Sequence, residues 1–154
     1  MKLSTREDIE VPIAYVFDRV SDFSALERRA LRQGAQVTRR QNGPYQEGDI
    51  WDITFKFRGR DRGVMAELTR FEHPTELEFD SASDGLNALM QVTLVALSPE
   101  RTRVLVSFEL RAKTVTARVL LQSLKLAKAS MSKRLAARVQ DYAGEIEDRF
   151  RRGV

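Results

Sequence analysis

From about Thr116 to Phe150, apolar residues recur at steps of three and four: Leu120, Leu124, Ala127, Met131, Leu135, Val139, Tyr142, Ile146 and Phe150. The stretch holds no proline, and no glycine before Gly144. This spacing predicts one long amphipathic α-helix. An apolar stripe of that length must be covered along its whole length, so the preceding chain has to supply a long apolar surface.

That surface is written in period two. Trp51, Ile53, Phe55 and Phe57 alternate with Asp52, Thr54, Lys56 and Arg58, as in a strand with one face buried. Val64, Ala66 and Leu68 oppose Met65, Glu67 and Thr69 in a strand over Gly63 to Phe71. Leu77 and Phe79 mark another. Leu86, Ala88, Met90, Val92, Leu94 and Ala96 make a fourth alternating run, and Val104, Val106, Phe108 and Leu110 a fifth. Gly59, His73-Pro74, Ser83-Asp84-Gly85 and Ser98-Pro99-Glu100 separate them with turn chemistry.

The N-terminal third reads differently. Lys2 to Val11 is expected to be a strand. Pro12 suits the first turn of a helix, where its missing N–H is not needed, and Ile13, Val16, Phe17 and Val20 give that helix an apolar face. Ser21 or Asp22 caps a second short helix from about Phe23 to Arg32, with Gly34 past its end. Ala35 to Arg40 is a short strand. The predicted order is β-α-α-β-β-β-β-β-β-α, an α+β arrangement with an antiparallel meander.

At 154 residues, with no linker or repeat, a single domain over 1–154 is expected. The absence of cysteine excludes a disulfide scaffold and a thiolate site. Met1 to Glu10 carries charge and no apolar run of signal-peptide type, and no window is long enough to span a bilayer. The expectation is a cytoplasmic protein without stable membrane insertion. The net charge is +4, with local clusters at Arg28-Arg29-Arg32 and Arg58-Arg60-Arg62. Nucleic-acid binders pair basic patches with exposed aromatics. Here the aromatics fall at inward positions, so no nucleic-acid partner is expected. Lys125, Lys128, Lys133, Arg134 and Arg138 lie off the apolar stripe of the last helix, and an attraction to anionic membranes or acidic ligands remains open.

Certain residues in this order carry a family resemblance. They are Ile9, Val11-Pro12, Val16-Phe17 and Val20-Ser21-Asp22, then Gly48 and Trp51, then Leu68-Thr69-Arg70-Phe71-Glu72-His73-Pro74 before Leu77, and last the terminal helix. Together they resemble the START/Bet v 1-like superfamily, in particular its bacterial polyketide cyclase/dehydrase and lipid-transport group. The resemblance implies a helix-grip fold: a seven-stranded antiparallel sheet wrapped around a long C-terminal helix, with two short helices after the first strand. It also implies an apolar cavity between sheet and helix.

The residues expected to line such a cavity are Trp51, Phe55, Phe57, Phe79, Met90, Phe108, Leu120, Leu124 and Met131. Periodicity does not separate a hollow interior from a filled one, because both require inward apolar side chains. The indole N–H of Trp51 needs a partner when buried, and a backbone carbonyl is the expected one. Ser81, Asn87 and that indole are the candidates for orienting a ligand. The lone histidine, His73, is expected to be a solvated turn residue. Glu67 is expected to point outward, with Arg70 able to pair with Asp61 or Glu67. No nucleophile, acid–base pair or metal-ligand spacing stands out, so neither a catalytic residue nor a cofactor is called for. The leading expectation is a protein that binds a hydrophobic small molecule. A polyketide cyclase or aromatase and a chaperone-binding interaction module are the alternatives.

Overall fold

A computed structural model describes all residues, 1–154. Its order is β1 (Lys2–Ile9), α1 (Ile13–Val20), α2 (Phe23–Arg32), β2 (Gln36–Arg39), β3 (Ile50–Phe57), β4 (Arg60–Glu72), β5 (Glu76–Ser83), β6 (Leu86–Ser98), β7 (Arg101–Ala112), α3 (Val115–Leu126) and α4 (Lys128–Arg151). The strands form one seven-stranded antiparallel sheet in the order β1-β7-β6-β5-β4-β3-β2. From β2 onward each strand is hydrogen-bonded to the next in sequence. β1 closes the far edge on β7, with Leu3 opposite Phe108 and Ile9 opposite Thr102.

Local chemistry explains most boundaries. The Asp22 side chain accepts the Ala25 N–H at 3.1 Å, capping α2, and Thr114 caps α3 through Ala117 N–H at the same distance. The turns at Arg58-Gly59 and Asp84-Gly85 have positive φ at both positions, the geometry that lets a two-residue loop match the twist of a hairpin. In β4 the register slips between Leu68 and Arg70. Thr69 is the extra residue, and its hydroxyl donates to Glu78 Oε1 at 2.9 Å. The bulge turns both Leu68 and Phe71 inward, so strict alternation ends there.

The long terminal helix expected from the apolar stripe is in fact two helices. Ala127, at φ −99° and ψ 9°, ends α3 and precedes α4. No glycine or proline marks the break. α3 lies against β7, whereas α4 lies against β1 and α1, and one straight rod cannot follow both surfaces. The expected strand from Lys2 to Val11 stops at Ile9, and the one expected over Gly63 to Phe71 extends to Arg60 and Glu72.

Tight packing is concentrated at one end. Of 19 buried residues, 14 form a single apolar cluster. It joins Ile9, Val11, Val16, Phe17 and Phe23 to Leu68, Leu77, Val92, Leu94, Val104 and Val106 of the sheet, and to Ala143 and Ile146 of α4. Thr102, fully buried there, donates its hydroxyl to the Val11 carbonyl at 2.8 Å. Towards the other end, Phe55, Leu120, Leu124 and Met131 are only half-buried.

The turn between β5 and β6 sets where α3 begins. The Lys113 N–H donates to the Gly85 carbonyl at 2.7 Å. A Cβ on Gly85 would meet the Thr114 hydroxyl at 2.5 Å, and the backbone there sits at φ +77°. Gly85→Ala should therefore both strain the turn and displace the α3 cap, lowering unfolding free energy by about 1–3 kcal/mol. Urea denaturation checks this, and a loss well under about 0.5 kcal/mol would contradict it.

Candidate functional site

Between the inner face of the sheet and the helices lie two adjoining chambers. The inner one, about 280 Å³, is lined by Trp51, Ile53, Ala66, Phe79, Met90 and Phe108 from the sheet, with Leu26, Glu27 and Ala30 of α2 and Val37 of β2. The outer one, about 270 Å³, is lined by Phe55, Phe57, Val64, Leu86, Leu120, Leu124 and Met131, with Arg62 and Ser83. Ser81 and Ala88 belong to both linings. Both are small side chains, opposite one another on neighbouring strands, where the two linings meet. A depression of about 500 Å³ lies on the opposite face of the sheet, around Asp52, Thr54, Met65, Asn87 and Lys113. Its lining mixes polar and apolar side chains, whereas the linings of the two chambers are mainly apolar.

All nine residues singled out from the sequence line these chambers. Trp51, Phe79, Met90 and Phe108 face the inner one; Phe55, Phe57, Leu120, Leu124 and Met131 face the outer one. Among the polar candidates, Ser81 is at their junction. Asn87 is not in the cavity; it is on the other sheet face, donating to Asp80 Oδ1 at 2.7 Å.

The indole of Trp51 departs from expectation. It donates to the Glu27 carboxylate, Oε2, at 3.3 Å, and not to a backbone carbonyl. The other Glu27 oxygen accepts the Tyr45 hydroxyl at 2.5 Å, and the Tyr45 ring is stacked over Trp51 with centroids 6.2 Å apart. Glu27 thereby ties α2 to β3 and to the loop before it. Its carboxylate holds the Tyr45 hydroxyl proton, raising that pKa above the usual phenol value, with burial adding to the effect. The same loop is fixed by Asp49, buried to 1% exposure. Asp49 Oδ2 accepts from Arg39 at 2.6 and 3.0 Å, and the Arg39 guanidinium lies 4.2 Å from the Tyr45 ring centre.

Arg62 and Asp84 of the outer chamber and Glu27 of the inner one are the charged groups of the lining, and the sequence reading missed all three. Parity could have found Arg62, since it lies two residues before Val64 on one strand. Its place in the run Arg58-Arg60-Arg62 groups it instead with a local basic cluster. Arg62 Nε is buried with no hydrogen-bond partner, and its Nη1 is 3.9 Å from Asp84 Oδ2, an ion contact too long for a hydrogen bond. Glu27 had no such signal, because its partners come from residues 18 and 24 positions away.

The remaining candidates lie elsewhere. Arg70 pairs with Glu76 at 2.5 Å, and not with Asp61 or Glu67. Asp61 is exposed, and Glu67 follows the outward parity of Met65. His73 is solvated at the β4–β5 turn, 3.5 Å from Asp18 and edge-on to Phe17. No group of three or more Asp, Glu or His is placed to hold a metal ion.

Removing the Glu27 carboxylate should leave the Trp51 and Tyr45 donors without their acceptor. Glu27→Ala is expected to cost about 1–3 kcal/mol of stability. It should also change the emission of Trp51, the sole tryptophan. Unchanged emission and stability would show that Glu27 does not hold α2 in place.

No protein-family model matches the chain, and no curated protein does. Solved structures match in fold. The Zhui aromatase/cyclase from Streptomyces sp. R1128 is 12% identical, with a TM-score of 0.68 over 97% of this chain and 95% of its own. Ara h 8.0201 is 15% identical, with a TM-score of 0.57 over 95% of this chain and 97% of its own. A START superfamily protein from Mycobacterium smegmatis is 13% identical, with a TM-score of 0.55 over 86% of this chain and 95% of its own. At these identities the likeness concerns architecture. The sheet order, the paired short helices and the C-terminal helix give this chain the helix-grip fold of the START and Bet v 1-like proteins.

Proposed function

We propose that this protein binds a hydrophobic small molecule, of lipid, polyketide or isoprenoid type, in the two chambers between the sheet and the helices. The observation that carries the reading is the unequal filling of the interior. One end is packed around Phe17, Phe23 and Leu68, while the other leaves large apolar side chains lining about 280 and 270 Å³ of space. Ligand pockets are typically concave, mostly apolar, and supplied with a few polar groups that fix orientation. Each chamber lies just below the usual size range of such pockets, and together they fall within it.

Binding is driven by removing apolar ligand surface from water, at about 25 cal/mol per Å². Met90 and Met131 adapt the walls to ligand shape, since thioether side chains are flexible and polarizable. Orientation falls to Ser81 at the junction and to Arg62, whose unpartnered Nε–H suits an oxygen acceptor on the ligand. Both oxygens of Glu27 are already engaged by Tyr45 and Trp51, which favours a structural role over proton transfer and therefore favours binding over cyclase chemistry.

Native mass spectrometry of the protein from its own host tests this directly. The expected result is a stoichiometric hydrophobic small molecule released on mild denaturation. A mass matching the bare chain, together with unchanged Trp51 emission on titration with apolar probes, would overturn the reading. A filling substitution sharpens it: Met131→Trp should cost under about 1.5 kcal/mol of stability, because space exists to take the ring, while weakening ligand affinity about tenfold or more. Marked destabilisation would mean that this part of the interior is already packed.

A further inference from the structure

We infer that the outer face of α3 is a docking surface for anionic lipid. α3 is apolar on two sides. Ala117, Leu120 and Leu124 face the protein, the last two lining the outer chamber. At 3.6 residues per turn, Val115, Val119 and Leu126 fall within about 40° of one another on the opposite side. They are 75%, 67% and 92% exposed. A single exposed aliphatic residue is ordinary, but a stripe of them on one helix needs a partner, and no element of the fold supplies one.

The charge around this stripe names the partner. From Arg111 to Gln140 the chain carries eight Lys and Arg and no Asp or Glu. All eight are exposed. Arg111 pairs with Glu109; Lys113, Arg118, Lys125, Lys128, Lys133, Arg134 and Arg138 form no ion pair. The net charge of +4 therefore originates here, and the rest of the chain is net acidic. Arg118 and Lys125 flank the apolar stripe along one edge. A clustered set of cations beside exposed aliphatic side chains is the pattern by which a helix lies on an anionic bilayer surface.

Other occupants fit less well. A second copy of the chain would bring two cationic stretches together, and like charges oppose a symmetric contact. Nucleic acid would call for aromatic stacking platforms, and the stripe holds only Val and Leu. No helix is long and apolar enough to cross a membrane, so the contact is peripheral. Arg58 and Arg60, exposed at the β3–β4 turn next to Phe57, lie across the outer chamber from α3. Docking through α3 therefore sets the wall of the outer chamber against lipid.

Co-sedimentation with vesicles tests this without reference to any cavity ligand. The expected result is binding to phosphatidylcholine vesicles containing about 30% phosphatidylglycerol, at least about tenfold stronger than to pure phosphatidylcholine. That binding should fall steeply between about 0.1 M and about 0.5 M salt. Val119→Asp with Leu126→Asp, and separately Arg118→Glu with Lys125→Glu, should each weaken it about tenfold or more. Thermal unfolding should be unchanged, because all four side chains point into solvent. Equal binding to neutral vesicles, or anionic binding untouched by the Asp pair, would overturn the inference. So would concentration-dependent dimerisation that the Asp pair abolishes, which would make the stripe a contact between copies.

Discussion

Phe23 stands where four aromatic rings converge. Its centroid lies 5.2 Å from Tyr45, 5.5 Å from Phe71, 5.7 Å from Trp51 and 5.9 Å from Phe79, and the ring is 3% exposed. These partners come from β3, β4, β5 and the loop between β2 and β3. One side chain at the first turn of α2 therefore fixes that helix against three strands. Edge-to-face and tilted geometries at such distances add to the area buried. The cluster also divides the interior: on one side is the packed core with Phe17 and Leu68, and on the other the inner chamber begins, sharing Trp51 and Phe79 as its wall. Without this anchor α2 would not close the end of the sheet, and Glu27 would not reach Trp51.

A hollow interior has an energetic consequence. Side chains that line empty space forgo the dispersion contacts a filled core would give them. The sheet supplies the compensating rigidity through the backbone hydrogen bonds of its seven paired strands, and the ion pair of Asp49 with Arg39 locks the loop before β3. A ligand that bound only the folded state would stabilise it in proportion to its concentration and affinity. Binding and fold stability would then be parts of one equilibrium.

α3 has a different part in this equilibrium from α4. α4 is held by Ala143 and Ile146 in the core and by the Tyr142 hydroxyl on the Arg19 carbonyl at 3.0 Å. α3 buries only Ala117 fully. The weaker hold makes α3, with the chamber beneath it and the exposed stripe above it, the segment where interior and surroundings meet. Local stability follows the density of buried contacts, so α3 opens at lower cost than α4.

The sequence by itself determined the element types and much of their order, because those depend on local periodicity. The alternation from Trp51 to Phe57 admits one strand with one inward face, and α1 and α2 begin and end where Pro12, Asp22 and the apolar steps place them. The inward positions of Trp51, Phe55, Phe79, Met90 and Phe108 were legible for the same reason. Whether those residues meet one another or surround space was not, since periodicity records direction and not distance. Nor was the break at Ala127, a good helix former that bends only because α3 and α4 follow different surfaces. The Glu27 contact with Trp51 was likewise decided by the tertiary structure, whereas the inward Arg62 and the outward Asn87 follow from strand parity with Val64 and with Ala88. The Glu27 contact depends on which helix lies opposite β3, and that is set by how the whole sheet curves around its packed end.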